Sequence, residues 1–274
     1  MRGVEKFDLV ACDLDGTLFP EEEVLTNFHY ELRDYIARKR IPFTFVSGRS
    51  WPGLKPPMEF FNVTMPVVGN NGGVIYFDQA IVWSKSYPAM SVRDAILEAD
   101  KLKMAIIFTV DMEEYAYRHV PFIKKRVEAY QRYGNEWRPS LQEWQTLRMD
   151  KLLIIDPNQP GKIDQVLAKL TRQDREKLNV VRYNSSAVDI TAKGTDKARG
   201  LHRLKGFLQA KQVVAFGDGL NDISFLQEAD LGIAMVNADA RLQAVADHVT
   251  GQIGPAGILA ELRELVSRDM IRLG

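Results

Sequence analysis

Short apolar runs alternate with stretches of helical spacing along the first eighty residues, and each run stops in small or polar residues. The first, Phe7 to Leu18, reads F-D-L-V-A-C-D-L-D-G-T-L: an apolar run that ends in Asp13 and Asp15 and is followed by Gly16, Thr17 and Leu18. A run this short, bounded by a glycine turn, predicts a buried parallel strand. Asn27 to Arg40 then places Phe28, Leu32, Tyr35 and Ile36 at the spacing of one helix face. Ile41 to Val46 is a second run, closing in Ser47-Gly48-Arg49-Ser50, and Pro52, Pro56 and Pro57 make the stretch after it poor helix. Met65 to Val68 is a third, closing in Gly69-Asn70-Asn71-Gly72-Gly73 before Val74 to Phe77. Three runs ending this way predict an α/β fold with a mainly parallel sheet and functional loops at its carboxyl edge.

From about Trp83 the texture changes. Val92 to Leu102, Phe122 to Tyr133 and Gly161 to Leu170 read as helices, and Ala105 to Val110, Leu152 to Ile155 and Val180 to Tyr183 as strands. Pro157 and Pro160 bound one of these strands, and the whole stretch has the size of a small domain. Its basic cluster of Arg118, His119, Lys124, Lys125 and Arg126 reads as a solvated helix face rather than an anion site, and Trp137 and Trp144 read as packing. Beyond Asp189 the first pattern returns. A helix from Ala198 to Leu208, with Leu201, Leu204 and Leu208 on one side, follows Lys193 and Lys197. Val213 to Phe216 then runs into Gly217-Asp218-Gly219-Leu220-Asn221-Asp222, Leu231 to Met235 makes another strand, and Asp239 to Ala246 and Ile258 to Val266 close the chain as helices.

The chain has 274 residues, room for one large domain or two modest ones, and its 36 Lys+Arg balance 36 Asp+Glu. No overall field therefore recruits nucleic acid or an anionic membrane, and phosphate-seeking chemistry has to come from a local site. Cys12 is the single cysteine and sits inside an apolar run, which fits a small buried hydrophobe in a reducing cytoplasm. Arg2, Glu5, Lys6 and Asp8 argue against a secretory leader at the amino terminus, and no apolar stretch is long enough to span a bilayer.

The acidic pair is the feature that folding does not ask for. Asp13 and Asp15, two apart on a strand, face one side, and burying two repelling carboxylates costs several kcal/mol unless a cation or proton compensates. A hairpin turn at Asp15-Gly16 would need a second strand directly afterwards. Phe19-Pro20 and Glu21, Glu22 and Glu23 follow instead, as a loop into a helix. The double glycine lacks dinucleotide-fingerprint spacing, and neither acidic cluster has the glycine and closing Glu of an EF-hand. Asp13, Asp15 and Asp218 are hard oxygen ligands of the kind Mg²⁺ prefers. A carboxylate at Asp13 could attack phosphorus, with Thr17, Ser47 and nearby N–H groups on the phosphoryl oxygens and a lysine on the developing charge.

These residues resemble the haloacid dehalogenase superfamily, in its Cof-type (class IIB) branch. The likeness is carried by Asp13-Leu14-Asp15-Gly16-Thr17-Leu18, Ser47-Gly48-Arg49, Asn71-Gly72-Gly73, Lys197, Gly217-Asp218-Gly219-Leu220-Asn221-Asp222, Gly232-Ile233-Ala234-Met235 and Asn237-Ala238. The resemblance implies a Rossmann-like catalytic core over residues 1–82 and 185–274, with an α/β cap over residues 83–184 inserted in it. It implies a phosphatase for a small phosphorylated metabolite, a sugar phosphate first and a flavin or nucleotide monophosphate second. Asp13 would be nucleophile and Mg²⁺ ligand. Asp15 would be general acid and then base, with its carbonyl on the metal. Asp218 and Asp222 would complete the metal site, Asp222 also holding Lys197. Thr17, Ser47, Gly48, Arg49, Asn71 and Asn221 would lie on the substrate or its phosphate. Of the two candidate lysines, Lys197 has the family's G-x-x-K setting. A phosphomutase or phosphotransferase using the same Asp13, and a non-catalytic binding protein of the same fold, are the alternatives.

Overall fold

The computed structural model describes residues 6–21, 24–130, 132–157, 161–182 and 185–274. Arg2, Glu5, Glu22, Glu23, Pro160 and Tyr183, which entered the reading above, lie outside the described residues. The chain divides into two compact units: Met1–Arg49, Leu54–Val82 and Asp196–Gly274 in one, Ser50–Gly53 and Trp83–Thr195 in the other.

In the first unit a five-stranded parallel sheet runs His248–Val249, Leu231–Ala234, Val213–Gly217, Leu9–Cys12, Phe43–Phe45 across its width. The two central strands, LVAC and VVAFG, are buried along their whole length, as apolar strands with both faces covered must be. Register is what matters for function: Cys12 lies beside Phe216 on one side and Phe45 on the other. The residues that follow these three strand ends, Asp13, Ser47 and Asp218, are therefore delivered to one edge. A parallel bridge from Val46 to Val68 continues that edge, and Val67–Gly69 opens a small antiparallel sheet with Val74–Phe77 and Ala80–Ser84.

Two local expectations are corrected here. In the helix Asn27–Lys39 the buried residues are His29, Leu32, Tyr35 and Ile36, while Phe28 is 46 % exposed. The histidine takes the inward place because both its ring nitrogens find partners there. Trp51–Phe61 is helical despite Pro52, Pro56 and Pro57. Phe61 packs on Phe43 and Phe45 with ring centroids 6.3 and 6.2 Å away, and burial of this aromatic group outweighs the lost backbone hydrogen bonds.

The second unit is a six-stranded sheet in the order Leu178–Arg182, Ala187–Ala192, Lys151–Ile155, Ala105–Val110, Glu113–Ala116, Asn135–Glu136, antiparallel except at the last pair. It extends to Thr195 rather than ending at residue 184, because Ala187–Ala192 is paired on both sides within this sheet. One face carries Phe108, Leu152 and Ile190 into a core with Ile96 and Val166 of the covering helices and with Trp144. Arg118 pairs with Asp100 at 2.6 Å and His119 is bound at its backbone by Glu136, so these two members of the basic cluster serve local structure. On the opposite face, register aligns Glu114, Thr109, Lys151, Thr191 and Asn179, one from each of five strands.

Candidate active site

Asp13 is placed by the strand it ends: its N–H donates to the Phe216 carbonyl at 3.0 Å, continuing the parallel ladder by one residue. Its side chain is buried. Gly16 then turns the chain with φ +84°, and a Cβ there would stand 2.1 Å from Asp218 Oδ2, so only glycine lets the first loop pass the second acidic cluster. Thr17, fully buried, donates its hydroxyl to Asp218 Oδ1 at 2.6 Å, and the amide of Asn237 donates to the Gly16 carbonyl at 3.0 Å.

The lysine arrives from a helix start. Asp196 caps the helix Lys197–Leu208 by accepting from Arg199 N at 2.7 Å, which fixes where its first residue points. Gly72, with φ +86°, packs so closely on this start that a Cβ would lie 1.9 Å from the Asp196 carbonyl oxygen. Lys197 is 1 % exposed, and its Nζ sits 2.7 Å from Asp13 Oδ1 and 2.6 Å from Asp222 Oδ1. Lys193, the other candidate, is exposed. The second oxygen of Asp222 accepts from the N–H groups of Asp218 and Gly219, at 3.2 and 2.9 Å, and so straps the loop that carries Asp218.

Electrostatics follow from this crowding. Burial, and then the charge of Asp222, push the Asp13 carboxyl well above the usual carboxylate range, with Lys197 opposing. Asp218 is pushed up to about 6, first by burial and against the hydrogen bond from Thr17. Burial alone would lower the Lys197 ammonium, but Asp13 and Asp222 outweigh it and hold it protonated. Carboxylate oxygens of Asp13, Asp218 and Asp222 lie within 4.8 Å of one another. Three carboxylates against one ammonium leave negative charge in excess, and one divalent cation with oxygen preference fits that donor set.

The remaining expected residues gather around this centre. Ser47 is fully buried, held by its N–H on the Val68 carbonyl, and its Oγ accepts from Arg49 N at 3.1 Å. Asn71, in the left-handed region at φ 52°, is bound through its N–H to the Ser47 carbonyl, and its side chain accepts from Asn221 at 3.1 Å. Asp15 stands apart: its carboxylate is 64 % exposed, is not in the acidic cluster, and is gripped by Arg49 at 2.7 Å. Asp196 and Asn237, which position Lys197 and the first loop, were given no role by the sequence. The capping pattern of a polar residue just before a helical run could have found Asp196, whereas Asn237 was marked only as part of the Asn237-Ala238 motif, without its contact to the first loop.

The fold and site define an α/β protein with acidic groups and a buried lysine at the carboxyl edge of a parallel sheet. The particular family is shown by comparison: residues 10–262 match the haloacid dehalogenase-like hydrolases, and the chain belongs to that family. A haloacid dehalogenase-like hydrolase from Bacteroides thetaiotaomicron superposes with TM-score 0.81 at 24% identity, over 95% of this chain and 100% of that one. The subclass IIB sugar phosphatase BT4131 superposes with TM-score 0.76 at 21% identity, over 94% and 99%. The 5-amino-6-(5-phospho-D-ribitylamino)uracil phosphatase YcsE of Bacillus subtilis is 24% identical over 262 residues, covering 94% of this chain and 95% of its own. Among the described residues no helix is long and apolar enough to cross a membrane.

Proposed function

We propose that this chain is a Mg²⁺-dependent phosphatase that hydrolyses a small phosphorylated metabolite through an aspartyl-phosphate at Asp13. The observation that carries the reading is the buried Asp13 carboxylate in contact with Lys197 and beside Asp218 and Asp222. An anionic nucleophile approaching a phosphate dianion is repelled, and Lys197 together with a divalent ion held by the carboxylates would offset that repulsion. Asp13 and Asp218 would offer carboxylate oxygens to the ion and Asp15 its main-chain carbonyl. Asp222, which also holds Lys197 and two backbone N–H groups, would complete the donor set. A bound divalent ion would supply further positive charge to the phosphoryl oxygens and the nucleophile.

In the first half-reaction an Asp13 oxygen attacks phosphorus while Lys197 neutralises the charge that builds. The ester oxygen leaves with a proton from Asp15. In the second, Asp15 takes a proton from water as it attacks, and Asp13 is released with inorganic phosphate. Ser47, its Oγ already ordered by Arg49 N, directs its hydroxyl hydrogen to a phosphoryl oxygen, with the Gly48 N–H and Asn71 close by. The relatives' names support a phosphate monoester as substrate and differ in which one. A sugar phosphate is the first candidate, and the second unit is the region we assign to its selection. The lone buried Cys12 and the balanced surface charge fit a cytoplasmic enzyme.

The test is phosphate release from a set of phosphorylated metabolites with Mg²⁺, with chelator, and with Asp13→Asn. Release is expected to need the metal and to fall by at least about 10³-fold in the variant. Activity that survives both controls would end this reading.

A further inference from the structure

Expected on the substrate or its phosphate, Arg49 grips Asp15. Its Nε stands 3.1 and 3.2 Å from the two Asp15 carboxylate oxygens, and its Nη2 2.7 Å from one of them. The arginine side chain is 9 % exposed where that of Asp15 is 64 % exposed. Its guanidinium carbon lies 5.6 Å from the centroid of the Phe19 ring. Phe19 is itself stacked on the buried ring of His29 with centroids 5.0 Å apart. Histidine Nδ1 accepts from Thr26 N at 3.0 Å and Nε2 meets the Leu18 carbonyl at 3.0 Å, which fixes a neutral ring with its proton on Nε2. Burial lowers its pKa in the same direction. A pinned histidine thus holds a phenyl ring, the ring seats a guanidinium, and the guanidinium holds one exposed carboxylate.

We propose that Arg49, seated on Phe19, is a positioning residue for Asp15 and not a ligand of the phosphoryl group. The inference rests on the acid–base role given to Asp15 above. The planar fork of an arginine matches a carboxylate in a fixed direction, and stacking on the ring removes the guanidinium's freedom. An exposed aspartate without such a partner samples several rotamers. A general acid–base has to stand within hydrogen-bond reach of the atom it serves. In the first half-reaction the Asp13 O–P bond forms, the ester P–O bond breaks and the Asp15 proton goes to the leaving oxygen. Asp15 is then a carboxylate, the form that Arg49 grips. In the second half the water O–P bond forms, the Asp13 O–P bond breaks and the water proton returns to Asp15. Arg49 steadies the base between the two halves.

The full chain with Mg²⁺ is assayed on glycerol 2-phosphate and p-nitrophenyl phosphate, and inorganic phosphate binding is measured by calorimetry. Arg49→Gln is expected to lower kcat by about 10- to 100-fold, with KM and inorganic phosphate affinity changed by less than about twofold. Arg49→Lys should recover part of the loss, and Phe19→Leu should show a smaller loss in the same direction without removing any charge. On p-nitrophenyl phosphate, whose leaving group departs without a proton, the first-turnover burst should persist while later turnovers slow. In an Asp15→Asn background Arg49→Gln should cost nothing further, because a positioning residue has nothing left to position. Inorganic phosphate binding weakened tenfold or more, or the same loss in both backgrounds, would overturn the proposal and leave the phosphatase reading standing. Metal-independent activity, or activity kept by Asp13→Asn, would strike that reading itself, and this proposal with it.

Discussion

Among the described residues a lysine is buried against aspartate at two places, and at one of them three carboxylates gather. In the second unit Lys151 Nζ meets Asp189 Oδ2 at 3.0 Å, with Thr109 and Thr191 opposite it on the neighbouring strands. Among the described residues no group of three acidic side chains forms there, and hydroxyls on the adjacent strands supply polar company. At the edge of the first unit, Lys197 answers Asp13 and Asp222 together, and Asp218 lies within the same few ångströms. A fold can keep a balanced pair for register and specificity at modest net cost. An unbalanced cluster is costly to bury, and its persistence calls for a charged ligand. The three-carboxylate cluster therefore sets the candidate-site lysine apart from Lys151, where burial alone would not.

Breaking the unbalanced site should have the largest effect. Lys197→Met leaves Asp13 and Asp222 buried without their ammonium, so phosphate release should fall by at least about 10³-fold. Stability should drop by about 3–5 kcal/mol, read by denaturant melts. Lys151→Met should lose a similar 3–5 kcal/mol by stranding Asp189, while the Lys151→Met/Asp189→Leu double variant should recover most of it. A double variant as unstable as the single one would show that the second pair is not simply balanced. Gly72→Ala is expected to cost about 2–3 kcal/mol, from a positive φ and a Cβ thrust at the Asp196 carbonyl. It should also lower activity by shifting the helix start that carries Lys197.

The smallest effect concerns Asp150 in the second unit, pushed up to about 6 by burial and then by the Asp111 carboxylate. Its folded pKa lies above the unfolded value, so the native state holds more protons between about pH 4 and 6. Stability should therefore fall as pH rises through that window, and the penalty should be fully present above it. Asp150→Asn should flatten the slope and add about 1 kcal/mol at pH 7.5. Melting temperatures at pH 4.5 and 7.5 decide it, and a variant with an unchanged difference would count against this source.

How far the site could be read in advance depended on how local each cause was. Asp13, Asp15 and Asp218 were visible because polar groups at the end of an apolar run are a local signal, and the parallel order of those runs followed from their burial. Trp144 was legible as packing, whereas the short helices Leu141–Thr146 and Arg172–Lys177 were not read in advance. Phe28 was misplaced because His29 owes its burial to Leu18 and Thr26, partners outside the helix period. The helix Trp51–Phe61 was missed because proline propensity is local and the aromatic contacts that overrule it are not. The second unit reaches past residue 184 because Ala187–Ala192, not read as a strand from the sequence, is claimed by partners on both sides in that unit's sheet.

By itself, then, the sequence determined which residue types could meet at a sheet edge, since the two-residue period of a strand and the glycine turns after it are written in the chain. Only the tertiary structure decided that Lys197 serves two carboxylates, that Thr17 and Asn237 tie the first loop, and that Arg49 grips Asp15. Those choices are made across gaps of up to 221 residues, where hydrogen-bond and charge geometry depend on how strands are ordered and not on what lies next to them in the chain.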